Sequence, residues 1–377
     1  MGKTVAVIGA GIAGPAAVLA LAETAGQTGG RAGDQAGLQV LWVAPPPEAG
    51  HDPVGETLAP AANPILARLG LSDAMAAAGH RVSHTTLSSW GGDQLLDRNA
   101  ILHLEGPGLV LNRARFEADL RRHAEAVASR VFATRVSDAG AADGAWHLTL
   151  EDGETLTADA VVDASGRGSV VARRAAERHR ADQLVAAHAF LPHRDDSVEP
   201  TRAVLIEAVE TGWWYAALRP DGMLSVAYFT DPDLLGETPT RDLAAWTALV
   251  AGTRHVGRWI EDAGFALDAP PSLSSAGTTW LVPPAGRVDG APWMAAGDCA
   301  AAFDPLSSHG MTTALWAGAR AGSVLSTALE GDDTALEAYA RSVLDGVAGF
   351  LAQRRAMYAQ ERRFADAPFW RRRQSAN

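Results

Sequence analysis

The chain has 377 residues, is 47% hydrophobic and 20% charged, carries a net charge of −12 and contains one cysteine. An ordinary apolar fraction excludes global disorder. The lone Cys excludes a disulfide framework or a Cys-rich zinc site, and the acidic balance argues against a general nucleic-acid binder.

In chain order, the β-branched run 3–8 reads as a strand. It runs into Gly9-Ala10-Gly11-Ile12-Ala13-Gly14 and then into the helical stretch 15–21. Strand, G-x-G-x-x-G and helix together make a dinucleotide site. Gly9 permits the tight turn, Gly11 admits a pyrophosphate to the backbone, and Gly14 lets helix and strand pack. The N–H groups at the helix start then hold the phosphate. The second strand, 38–44, ends at Ala44 where an acid normally grips the adenosine ribose. Glu48, in the following loop, is the one nearby substitute. The glycine-rich loop 26–37 reads as a linker.

Gly55-Glu56-Thr57-Leu58 follows a proline-rich loop, and 82–90 reads as a strand. Asn112 is a candidate N-cap for an amphipathic helix carrying Arg113, which either meets the cofactor or is a surface residue. Ala160-Val161-Val162-Asp163-Ala164-Ser165-Gly166-Arg167 is a second strand with a glycine turn, predicted to lie in the first strand's sheet. The run 183–191 reads as a strand, and strands 202–209, 213–218 and 224–230, joined by short turns, read as a meander. Strand 278–282 is expected to extend it. Helices are expected at 241–250 and 254–263, and one or two long helices over 334–363. A last core strand, from Trp293, ends in Gly297-Asp298 and leads through Asp304-Pro305-Leu306-Ser307-Ser308-His309-Gly310 into a helix. That helix N-terminus directs partial positive charge at an electron-rich ring edge.

The combination of G-x-G-x-x-G, Asp-Ala-Ser-Gly-Arg and the late Gly-Asp resembles the FAD-dependent group A aromatic hydroxylases. It equally resembles their relatives, the flavin-dependent tryptophan halogenases, over nearly the whole chain. Gly55-Glu56-Thr57-Leu58, Gly212-Trp213-Trp214-Tyr215-Ala216, the segment 304–310 and the C-terminal Tyr358, Glu361, Arg363 and Trp370 add a closer likeness. They are similar to the monooxygenases that hydroxylate a Trp side chain during maturation of tryptophylquinone enzymes.

The resemblance implies an α/β fold. A discontinuous Rossmann-like FAD-binding domain (1–81, 107–180, 281–330) would carry an inserted antiparallel β-sheet substrate domain (82–106, 181–280). C-terminal helices (331–377) would complete it. It further implies that Asp298 contacts the ribityl chain, that Pro305, Ser308 and Gly310 wrap the isoalloxazine, and that Asp163 belongs to the FAD and NAD(P)H fingerprint. The implied reaction is hydroxylation of an indole or similar aromatic ring through a flavin C4a-hydroperoxide. It uses O2 and electrons from NAD(P)H or a partner flavin reductase. The substrate is an aromatic small molecule or a Trp in a peptide or protein. A flavin dehydrogenase or reductase acting on a small natural-product intermediate is the alternative. A flavin-stabilised protein that escorts a peptide is a further one. The halogenases need a lysine after the early Gly-Glu motif and a Trp-x-Trp-x-Ile-Pro signature. Lys3 is the only lysine here, and the signature is absent.

Rearomatisation of a hydroxylated ring needs a base. His309, in the flavin-facing loop, and Glu56, if burial raises its pKa, are the candidates. Each has a bland reading, as a residue shaping a helix start. Trp213, Trp214 and Tyr215 line an aromatic pocket or are strand core. With 11 Trp against 9 Phe, most Trp are expected to pack. Cys299 is an improbable covalent flavin link. His80 and His84 lack a third ligand, so no metal is expected. The segment 350–377 carries seven Arg and two acids. Either it docks an acidic partner or it pairs with the protein's own acids. No apolar run is long and unbroken enough to span a membrane and no export signal is evident, so a soluble, cytoplasmic enzyme is expected.

Overall fold

The structure, a computed structural model, describes residues 2–27, 37–47, 54–77, 79–83, 85–99, 107–236 and 241–374. Glu48, His84 and most of the loop 26–37 lie outside the described residues.

The first sheet grows from Thr4–Ile8, in which Val5, Ala6 and Val7 are wholly buried. A strand covered on both faces reads as such a continuous apolar run. Gln39–Val43 and Ala160–Asp163 flank it in parallel. Arg130–Phe132 and Ala291–Ala295 continue the parallel order, and Ala285–Val288 closes one edge antiparallel. The helix Ala13–Gln27 leaves the glycine turn and packs on the helices Gly310–Ala319 and Ala321–Leu329. Asn112 caps the helix Arg113–Glu125, its side chain accepting from the Arg115 N–H.

A seven-stranded sheet lies apart from the first. Its order is Ser272–Ser275, Val185–Leu191, Leu224–Thr230, Gly212–Leu218, Val204–Val209, Thr85–Ser89 and Leu96–Asn99. All neighbours are antiparallel except Thr85–Ser89, which runs parallel to Val204–Val209. Side chains alternate between its faces. Trp214 stacks on its cross-strand partner Tyr228 at 4.8 Å and meets Trp246 of the helix Leu243–Ala251 at 5.1 Å. Trp213, Tyr215 and Phe229 take the opposite face. Buried Glu207 accepts backbone N–H bonds from residues 254, 255 and 256, at 2.6, 2.9 and 2.9 Å. Its charge thereby caps the helix Val256–Asp262.

Three sequence expectations are corrected. The run 82–90 is not one strand: Arg81–Ser83 pairs with Gly108–Val110, and only Thr85–Ser89 joins the large sheet. Thr279–Val282 does not extend that sheet. It pairs with Glu177–Arg180 and Ala301–Ala302, because its chain has already turned toward the first sheet. The long C-terminal helix stops at Tyr358 (Thr334–Tyr358), and a short helix, Pro368–Gln374, folds back beside the large sheet.

That C-terminal segment spends much of its charge on the protein itself. Arg354 pairs with Asp182 and Asp304, Arg363 with Glu361 and Asp93, and Arg372 and Arg373 with Asp231. Trp370 donates to Val209 O and Trp90 to Met357 O, both at 2.9 Å. Among the described residues no helix is long and apolar enough to cross a membrane.

Burial alone would raise the Asp231 carboxyl, yet the Arg373 and Arg372 guanidiniums hold it below its ordinary value. Asp231→Ala leaves the buried Arg373 without its carboxylate, and urea denaturation should show a loss of about 3–5 kcal/mol. The wild-type contribution is present above the unfolded-state value of about 3.9 and is lost as pH falls through the depressed folded value. The gap between wild type and variant should therefore narrow on acidification.

Candidate active site

A cavity of about 450 Å³ lies between the two sheets. Its first end is the glycine turn. Gly9 has φ +120°, and a Cβ there would sit 2.1 Å from Ala164 O. A Cβ on Gly14 would sit 2.0 Å from Gly9 O, so strand and helix meet here with no room for a side chain. Gly11 borders the cavity, and a Cβ on it would meet nothing within 4 Å. Ile12 and Ala13, at the helix start, border the same space. At the end of the second strand, Arg121 stands beside Ala44. It donates to Ala44 O and Pro45 O at 3.1 and 2.9 Å, with its guanidinium 5.5 Å from the Trp42 ring centroid.

The middle of the cavity is polar. Gly297 and Asp298 border it, and 45% of the Asp298 side chain is open to it. Arg167 Nε lies 3.5 Å from Asp298 Oδ2. Enclosure by protein raises the Asp298 carboxyl, opposed by Arg167, Arg113 and Arg178. Arg113 borders the cavity, pairs with Glu117 and donates to Gly55 O at 2.6 Å and Val54 O at 3.2 Å.

Asp163 is a correction: it is fully buried and does not reach the cavity. Its carboxylate accepts from Ser165 N and Oγ at 3.0 and 2.5 Å, and from Val171 N and Ala172 N at 2.8 and 2.7 Å. It shapes the loop that carries Arg167. Cys299 is also fully buried, its thiol raised by burial and donating to Ser169 Oγ at 3.3 Å. His80 accepts from Asn112 N, and the described residues hold no group able to bind a metal.

The far end is aromatic. Trp213 stacks on Phe229, ring centroids 4.0 Å apart, and both border the cavity with Tyr215. Trp214 does not: strand alternation sends it to the other face, against Tyr228 and Trp246. The loop after Asp298 brings in Phe303, Pro305, Ser308 and Gly310. Buried Asp304 caps this strap by accepting from Leu306 N at 3.0 Å, and it also accepts from Arg354 Nε and Tyr358 OH at 3.0 and 2.8 Å. Tyr358 OH in turn accepts from Trp213 Nε1 at 3.0 Å.

Of the two proposed bases, neither borders this cavity. His309 does not line it. Ser308 is left-handed, with φ 53°, and His309 after it borders an adjoining cavity of about 330 Å³, which shares Gly297 and Phe303 with the first and reaches the helix Thr334–Tyr358. Glu56 is 1% exposed and sits behind Tyr215. The Tyr215 hydroxyl lies 3.0 Å from Thr57 Oγ1 and donates to Glu56 Oε2 at 3.4 Å. Desolvation raises the Glu56 carboxyl, partly offset by Ser225, Arg113 and Arg219. Burial likewise lifts the Tyr215 hydroxyl well above its ordinary value.

Four contributors were given no site role from the sequence: Phe229, and Thr57, Asp304 and Tyr358, which were singled out only as parts of motifs. Phe229 was within reach, since it is the cross-strand partner of Trp213 in the meander.

The profile of the family named Tryptophan halogenase matches residues 94–228. LodB of Marinomonas mediterranea, named as an FAD-dependent oxidoreductase, is 27% identical over 296 residues, covering 76% of each chain. Among solved structures, the peptidyl tryptophan dihydroxylase QhpG is 25% identical with a TM-score of 0.78. That match covers 100% of this chain and 79% of QhpG. The myxobacterial chondrochloren halogenase CndH shares the fold at a TM-score of 0.84 and 21% identity, over 100% of this chain and 86% of its own. The chain fits the superfamily of FAD-dependent halogenases and hydroxylases. It is an enzyme of the flavin oxidoreductase class.

The residues fit FAD as this superfamily uses it. The tight turn at Gly9 and Gly14, the open backbone at Gly11 on the cavity wall and the cavity-facing Asp298 suit a pyrophosphate and a polyol chain. A Cβ at Gly11 meets no protein atom within 4 Å, so the Gly11→Ala apoprotein should melt as wild type does, while FAD binding read by fluorescence titration weakens at least tenfold, about 1.4 kcal/mol. Glu56→Gln tests the raised carboxyl. The stability that protonated Glu56 contributes is full below about pH 4.3 and is lost as pH rises through the folded value. Wild type minus variant should therefore fall with rising pH in chemical denaturation.

Proposed function

We propose that the protein is a FAD-dependent monooxygenase that hydroxylates an indole ring, that of a Trp held in a peptide or protein. Bound FAD, reduced by NAD(P)H or a partner flavin reductase, would supply oxygen transfer from O2. The chain's own residues do the rest. Gly9, Gly11, Gly14 and Asp298 hold the dinucleotide, with Arg113 and Arg167 at its edge. Pro305, Ser308 and Gly310 hold the strap against the ring system. Trp213 and Phe229 offer a flat apolar wall to an aromatic substrate and exclude water from it.

The observation that carries the reading is the Tyr215–Glu56 pair. A ring that has gained oxygen must shed a proton. Tyr215 borders the cavity, and its hydroxyl lies between Thr57, which also borders it, and Glu56, at 3.0 and 3.4 Å. A carboxylate with a raised pKa is a stronger base than an exposed one. The hydroxyl passes its own proton to Glu56 while taking one from the substrate. Likeness to QhpG, named for peptidyl tryptophan dihydroxylation, supports the peptide-bound substrate.

Halogenation is the second reading, favoured by the matched family's name and by CndH. Against it stands the lysine census. The one lysine, Lys3, pairs with Asp159 at the start of the first strand and does not border the cavity.

Intact-mass analysis of a Trp-containing peptide incubated with enzyme, FAD, reductant and O2, with chloride and bromide present, separates the readings. Gain of oxygen without halogen is expected, and halogen gain overturns the proposal. Glu56→Gln and Tyr215→Phe should each slow product formation by roughly 10²-fold or more, with FAD binding unchanged.

A further inference from the structure

The large sheet has two edges, and they differ. Leu96–Asn99 carries the exposed charge of Asp97. Ser272–Ser275 carries none, and the stretch 269–280 has no charged residue at all. Among the described residues, no strand pairs with its outer side. Proteins normally blunt such an edge with charge, because its outward N–H and C=O groups invite another strand. Here the edge instead shows Leu273, 53% exposed.

This edge is also a rim of the active-site cavity. Ser274, Ser275 and Ala276 border it. Ser274 pairs with Ala186 on the face turned to the cavity, while Leu273 pairs with Ala187 on the far face. Arg167 Nη1 donates to Gly277 O at 2.5 Å, fixing the end of the edge beside Asp298.

We propose that Ser272–Ser275 is the docking edge for the substrate, an extended peptide that adds as an eighth strand and delivers its Trp into the cavity. The proposal rests on the peptide-bound Trp reading above. Main-chain hydrogen bonds hold such a strand, and pockets for alternate side chains select its sequence. An added strand lies about 4.8 Å from its neighbour. A Trp in register with Ser274 then faces the cavity mouth beyond Trp213 and Phe229, and its neighbours in the peptide pack on Leu273. A slip of one residue turns the indole to the wrong face, so the edge fixes which residue is oxidised.

The test uses the full chain loaded with FAD and three probes. These are a fluorescein-labelled Thr-Val-Thr-Trp-Thr-Val-Thr peptide, the same peptide N-methylated on either alternate set of amides, and N-acetyltryptophanamide. Anisotropy should show that one N-methyl set weakens binding at least tenfold and the other does not, the signature of one-sided strand pairing. Hydrogen exchange should slow at 272–275 when the peptide binds. Leu273→Lys should weaken peptide binding similarly, with FAD affinity, melting temperature and oxygen gain on N-acetyltryptophanamide unchanged. Equal binding of both N-methyl sets, absence of protection at 272–275, or protection there from self-association of the enzyme alone overturns the docking edge. If N-acetyltryptophanamide still gains oxygen in that case, the monooxygenase reading survives. If neither it nor the peptide gains oxygen, that reading falls, whatever the binding shows.

Discussion

A single buried carboxylate holds the cavity together. Asp304 is wholly enclosed, and its two oxygens serve three parts of the chain. One caps the strap at Leu306. The other accepts from Arg354 and Tyr358 of the C-terminal helix, and through Tyr358 it reaches Trp213 of the large sheet. Arg354 carries the link on to Asp182 at 2.8 Å. A buried charge is tolerable only when paired and hydrogen-bonded. Removing any one partner would leave the rest in a low dielectric without compensation. The two sheets are therefore held at the spacing that makes a cavity rather than a contact.

The glycine turn between the first strand and helix was legible from the sequence because its constraints are local. Gly9, Gly11 and Gly14 are spaced by the turn they make, and the strand and helix on either side declare themselves by their own residues. The meander was legible for the same reason, its turns being short and its strands β-branched and aromatic. Asp163 was in the right motif but had the wrong task, since a strand-end acid is equally suited to gripping a ligand or tying its own loop. Trp214 shows a rule left unapplied: three aromatics in sequence cannot all face one way on a strand. His309 turned on the left-handed Ser308, a backbone choice that sequence rarely reveals for a non-glycine residue. Asp304 and Tyr358 stood out as motif residues, but their partnership was out of reach, since it spans 54 positions and has no periodic signature.

The aromatic end divides its labour by burial. Trp213 and Phe229 are stacked and closed off, so they supply shape. Tyr215 borders the cavity and donates to the carboxylate behind it, the geometry on which the proposed proton route rests. Glu56 stays out of the cavity, where a full charge would oppose entry of an apolar ring. A carboxyl set one residue deep, behind a phenol, is available to the chemistry without disturbing the binding.

The C-terminal clamp also dictates when the enzyme can exist. The cavity draws its walls from near residues 11, 57, 113, 213, 229 and 303, and it is braced by Tyr358 and Trp370. A chain still emerging from the ribosome has the glycine turn early but lacks its bracing until residue 370 has cleared the exit tunnel. The aromatic chamber is thus closed only after synthesis has passed that point. A nascent or prematurely terminated chain is left without the brace that gives the chamber its shape.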